Sequence, residues 1–108
     1  MNLDTPRLTE AISLCFEQSK NTDLPASERA RFLFQGKQLR GHLLNLLTAD
    51  FDADLDDEVS EANARLGAVV KQLKKDVDDL AKVRERLAEL RGIAKLLETL
   101  VSGAASFV

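Results

Sequence analysis

The carboxylates between Asp50 and Glu61 are the residues best placed to do chemistry. Asp50, Asp52, Asp54, Asp56, Asp57, Glu58 and Glu61 crowd one short stretch. Carboxylate oxygens at this density are the donors a hard cation takes. The other reactive types stand alone. His42 is the single histidine and has no HxxxH or ExxH partner at ligand spacing, so it reads as a helix residue at the surface or boundary. Cys15 is the single cysteine, which excludes an intrachain disulfide and a thiolate metal cluster. Its neighbours Ile12, Leu14 and Phe16 mark it as a buried thiol. Gly36-Lys37 lacks the upstream glycine of a phosphate loop, and there is no GxSxG elbow. Nowhere do a nucleophile, a base and an orienting group come together, so neither an enzyme nor a cofactor is expected.

The acidic run resembles the calcium loop of the EF-hand family. Counted from Asp50, carboxylates fall at loop positions 1, 3, 5, 7, 9 and 12 through Asp50, Asp52, Asp54, Asp56, Glu58 and Glu61. The likeness is confined to these residues. Leu55 stands where glycine makes the sharp turn, Asp57 stands where an apolar residue pairs two loops, and there is no second loop. The segment therefore reads first as a solvated connection and helix start, with degenerate EF-hand-like calcium binding at 50–61 as an alternative.

The elements around these residues are helices. With 44% apolar and 31% charged residues the 108-residue chain is too apolar for disorder, and its length suits one domain, 1–108. Tyrosine and tryptophan are absent, so the core is aliphatic, as in a bundle. Thr5-Pro6 opens a first helix of about 6–20, with Thr5 as cap and the stripe Leu8, Ala11, Ile12, Cys15, Phe16. Asn21 is expected to end it in a left-handed conformation. Pro25 opens a second helix of about 26–49, whose stripe is Phe32, Leu33, Gly36, Leu39, Leu43, Leu46 and Leu47. Gly36 on that stripe allows another helix to come close. Asp54 caps a third helix of about 54–102, with Ser102-Gly103 as its stop.

That third helix carries a heptad to the last residue. Val59, Leu66, Leu73, Leu80, Leu87, Ala94, Val101 and Val108 fall at a; Leu55, Ala62, Val69, Val83, Leu90, Leu97 and Ala104 fall at d. Asp76 alone breaks the d column, and helical drift is expected to turn it to solvent while Val77 takes its place. Val70, Val77, Ile93 and Leu100 make the flanks apolar, which suits a bundle rather than a two-stranded coiled coil. One helix of this length measures about 70 Å, against about 36 Å for helix two and about 20 Å for helix one, so either those two lie end to end along it, or another chain covers much of the seam, or it kinks at Gly67 or Gly92. The expected fold is all-α: a three-helix antiparallel bundle with a very long third helix, completed by oligomerisation.

The function that follows is non-enzymatic helical protein–protein interaction. A structural subunit, an adaptor, or an antitoxin-, immunity- or chaperone-like protein all fit. Contact is expected along helix three through Leu73, Leu80, Leu87, Leu90, Leu97 and Val101, with another copy of the chain or a helical partner. A net charge of -3 with interleaved pairs such as Lys75–Asp79 and Asp78–Lys82 argues against nucleic acid. The N-terminus MNLDTPRLTE lacks a basic, apolar leader and no long apolar run exists, so a cytoplasmic protein is expected. The apolar segment 92–108 carries an alternative, docking to a membrane, although it lacks the basic face such helices use.

Overall fold

The computed structural model describes residues 2–49, 51, 53–76 and 78–105, the last two by backbone alone. Four α-helices follow in order: α1 (Thr5–Ser19), α2 (Ala26–Leu46), α3 (Asp56–Lys75), entered through a 3-10 turn at Ala53–Leu55, and α4 (Leu80–Ala105).

Asp4, rather than Thr5, caps α1: its Oδ1 accepts the Arg7 N–H at 3.1 Å. Pro6 occupies the first turn, where no donor is needed. No described residue other than glycine has a positive φ, so Asn21 does not close α1 by a left-handed turn. It works through its side chain instead: its Nδ2 donates to Gln18 Oε1 at 3.0 Å and its Oδ1 accepts the Asp23 N–H at 3.0 Å. Helix α2 runs unbroken through Gly36 and Gly41. Asp54 sits in the 3-10 turn, and α3 starts without a side-chain cap, its first turn carrying Asp56, Asp57 and Glu58 at the positive end of the dipole.

The very long third helix is two helices. The break falls at 76–79, between Lys75 and Leu80, not at Gly67, Gly92 or Ser102-Gly103. The Asp76 N–H still bonds Gln72 O at 2.8 Å, but the chain then turns, with Asp79 N–H on Asp76 O at 2.9 Å. Asp79 starts α4: its Oδ1 accepts from Lys82 N at 3.3 Å and its carbonyl from Val83 N at 3.0 Å. Aspartates hold helix interiors poorly and favour N-termini, and Lys74 and Lys75 suit the C-terminus of α3. Asp76 is not turned to solvent: it is 5% exposed and faces Arg86. Val77 lies outside the described residues. The turn separates Lys75 from Asp79 and Asp78 from Lys82, so these are not pairs along one helix face.

Two helical hairpins therefore pack together. Phe16 and Cys15 meet Gly36 across the antiparallel α1–α2 pair, where a methyl on Gly36 would stand 2.8 Å from Phe16 Cε1. In the α3–α4 hairpin Gly92 faces Arg65 and Gly103 faces Leu55. Between hairpins, α1 lies parallel to α3: Asp4 N–H donates to Asn63 Oδ1 at 2.7 Å, and Lys74 pairs with Glu10. Helix α2 lies parallel to α4, with Arg84 Nε 2.8 Å from Glu28 Oε2. Around the bundle the order is α1, α2, α4, α3. The core holds Leu8, Ala11 and Cys15 of α1, Phe32 and Leu39 of α2, Leu66, Val69 and Val70 of α3, and Leu90, Ile93 and Leu97 of α4. The body measures 44 × 21 × 19 Å, about the length of the 26-residue α4 at 1.5 Å per residue.

Candidate functional site

The six residues expected to carry contact are inside this bundle. Leu73, Leu87, Leu90 and Leu97 are buried, and Leu80 and Val101 pack half-buried against the same core. The heptad seam needed another chain only while it was one rod of about 70 Å. Folded back at 76–79, its two halves cover each other and meet α1 and α2. The segment 92–108 behaves alike: Ile93, Ala94, Leu97 and Leu100 are buried, while the side chains of Ala104 and Ala105 and the residues Phe107 and Val108 lie outside the described region.

The described part of the acidic run does not form a ring. Asp50 and Asp52 lie outside the described residues, and from Ala53 onward the backbone is already helical. Asp54, Asp56, Glu58 and Glu61 thus spread around helical turns rather than wrap a centre. Among the described residues no group of three His, Cys, Asp or Glu side chains is placed to hold a metal ion. Burial lowers the pKa of His42, opposed by the charge of Glu98, and its Nε2 has no hydrogen-bond partner. Burial pushes the Cys15 thiol up to about 12, so it is protonated and inert at neutral pH.

Three shallow clefts of 260 to 290 Å³ mark the described surface. That is at or below the ~300 Å³ floor of small-molecule sites. The one lined by Arg65, Gln72, Arg86 and Glu89 lies between α3 and α4, and there Arg86 is spoken for by Asp76 and Glu89. None is lined by histidine or cysteine, and none sets a carboxylate beside a hydroxyl.

The surface that departs from a solvated one is the outer side of α2. At 100° per residue Phe32, Gln35, Gly36, Leu39 and Leu46 turn to the core. Leu33, Lys37, Arg40, Leu44 and Leu47 form a row about 120° round the helix from the core direction, on the side toward α1, spaced four, three, four and three residues apart. Leu44 is 71% exposed, Leu47 58% and Leu33 38%, and Phe34 on the flank facing α4 is 62% exposed. The expected stripe puts Leu33 and Leu47 in the core; they stand outside it because each lies about 100° further round the helix than its buried neighbour, Phe32 or Leu46. The same row is cationic. No acidic residue stands between Glu28 and Asp50, while Arg29, Arg31, Lys37 and Arg40 all fall there, in a chain whose net charge is -3. Among the described residues Arg31, Lys37 and Arg40 have no carboxylate partner, as is also true of Lys20, Lys71, Lys75, Lys82, Arg91 and Lys95, while Arg7, Arg65, Lys74, Arg84 and Arg86 each have one. The Arg40 guanidinium rests 5.6 Å from the centre of the Phe16 ring, which holds it at the α1 edge of the row. Gly41 adjoins the row, and a methyl there would meet nothing within 4 Å.

Sequence reasoning missed this face, and the acid-free run from 29 to 49 was the available signal. Compared with family models, with curated proteins and with solved structures, the chain matches none. Among the described residues no helix is long and apolar enough to cross a membrane.

Proposed function

We propose that the protein works without catalysis, by binding another protein through the outer face of α2. The roles this fits are those of a structural subunit, an adaptor, or an antitoxin-, immunity- or chaperone-like protein. One observation carries the reading: Leu33, Phe34, Leu44 and Leu47 are large apolar side chains left in solvent on a single helix of an otherwise well-covered bundle. Leaving a leucine or phenylalanine exposed forgoes ~1.5–3 kcal/mol of burial per side chain; Leu44 and Leu47 adjoin at i, i+3, and an exposed apolar patch is a recurrent mark of an interaction site. Self-association along the heptad seam has less support than a contact on α2, since the seam is already covered by the chain itself.

Site-specific photo-crosslinking in the native cell tests this. A crosslinker in place of Leu44 should yield one discrete adduct, and one in place of the exposed Ala88 on α4 should not. The purified partner should then lose at least ~10-fold in affinity for Leu44→Glu. Equal adducts from both positions, or unchanged affinity, would contradict the proposal.

A further inference from the structure

We infer that the outer face of α2 seats one amphipathic helix of acidic character, with Gly41 leaving room at the edge of the contact and Lys37 and Arg40 selecting its charge. This rests on the reading of α2 as a docking face and adds the kind of partner and its register.

Three observations converge on a helix. First, the row Leu33, Lys37, Arg40, Leu44, Leu47 has the alternating four–three spacing by which one helix offers knobs to another over two heptads. Leucines close both ends and cations hold the middle.

Second, Gly41, like Gly67 on α3, meets no described neighbour that would require a glycine, and unlike Gly67 it adjoins exposed leucines. A glycine in a helix interior is ~1 kcal/mol less favourable than alanine. Gly36 has a reason to be glycine, because Phe16 and Cys15 fill the space its side chain would take. Gly41 faces open space on the docking side. A second helix backbone approaching there would supply the missing reason, since a small residue lets two helices come close.

Third, the charge selects. Among the described residues Lys37 and Arg40 have no carboxylate partner, and they stand in the middle layers of the row. Covering them with an apolar or basic helix would strand two desolvated cations, whereas glutamates at the facing positions would pair them. A second copy of the same face is a poor fit. Pairing it in register, parallel or antiparallel about Arg40, sets arginine against arginine. An anionic bilayer is also a poorer fit. It needs no notch, and the acidic start of α3 (Asp54, Asp56, Asp57) lies at the same end of the bundle as Leu47 and would be repelled.

Fluorescence anisotropy at low salt tests the inference with two labelled helical peptides. Both carry leucine at the stripe ends; one has glutamate and its twin lysine at the two central stripe positions. The glutamate peptide should bind the full-length protein at least ~10-fold more tightly than the lysine peptide. The double variant Lys37→Glu, Arg40→Glu should reverse that order. Gly41→Leu should weaken the glutamate peptide ~10-fold or more without lowering the melting temperature, since its side chain enters open space. Equal binding of both peptides, lost on Leu44→Glu, would overturn the charge selection while leaving α2 as a docking face. No binding of either peptide, with phosphatidylserine vesicles binding the protein through Lys37 and Arg40, would overturn the helix in favour of a lipid surface. No binding to peptide or vesicle would overturn the inference and weaken the α2 reading with it.

Discussion

The carboxylate of Asp76 lies 3.4 Å from the guanidinium of Arg86, across the turn that joins α3 to α4. Both side chains are largely buried, and Arg86 also reaches Glu89 at 2.6 Å. This pair sits at the point where a continuous heptad is folded into a hairpin. Removing one partner leaves a buried charge unmatched, which is the expensive way to break such a pair. Arg86→Met should therefore destabilise the protein by about 2–3 kcal/mol, and Asp76→Asn in the same chain should restore part of it. Urea denaturation of the two variants checks this; an unchanged midpoint for Arg86→Met would mean that the turn stands without the pair.

The two glycines of α2 should respond in opposite directions to alanine. At Gly36 the added methyl meets Phe16 Cε1 at 2.8 Å and Cys15 Cβ at 3.2 Å, so the Phe16 ring must shift or the two helices must move apart. A loss of about 1–3 kcal/mol is expected, relieved when Phe16→Leu makes room. At Gly41 the methyl meets nothing and helix propensity alone acts, a gain of about 0.5–1 kcal/mol. Thermal melts of both variants decide it, and two losses of equal size would refute the assignment of Gly41 to an open face.

Much of the fold is legible in the residues themselves, and the exceptions have physical causes. The stripe Leu8, Ala11, Ile12, Cys15 and the proline at position 25 locate α1 and the start of α2 because apolar periodicity and a missing N–H act locally. The break at 76–79 is masked because the a and d columns run through it in register: Leu73 before and Leu80 and Val83 after keep the same heptad. Within the a and d columns only Asp76 signals it, and an aspartate at a d position reads equally as a rotated surface residue. Its burial depends on Arg86, ten residues on, which periodicity does not reveal. The exposed side of α2 is hidden for a different reason. Leu33 and Leu47 fall near enough to Phe32 and Leu46 in sequence to be counted into one stripe, and only the packed bundle separates the two sides of α2.

His42 gives the protein a defined acid sensitivity. Burial lowers its pKa in the folded state below the unfolded value of 6.5, with Glu98 opposing. The unfolded chain thus takes up a proton at a higher pH than the folded one. The contribution of this residue is complete above pH 6.5 and is lost as pH falls from there through the lower folded value. His42→Gln should lose less melting temperature than the parent between pH 7.5 and about 5.5. Parallel curves for the two proteins would contradict this.

Cys15 should report on global unfolding. Its thiol is buried and its pKa is pushed up to about 12 by loss of solvent. At mildly alkaline pH a disulfide reagent should not label the native protein, and labelling in urea should track the loss of helical signal. Rapid labelling without denaturant would show that the α1–α2 contact opens locally.

The most direct test of the central claim is a chemical-shift map of the isotope-labelled protein titrated with the glutamate peptide. Perturbations confined to α2 between residues 30 and 48, with the amides of Lys37, Arg40 and Gly41 moving most, are the predicted result. Perturbations centred on the α3–α4 seam at Leu73, Leu87 and Leu90, with α2 unchanged, would contradict it.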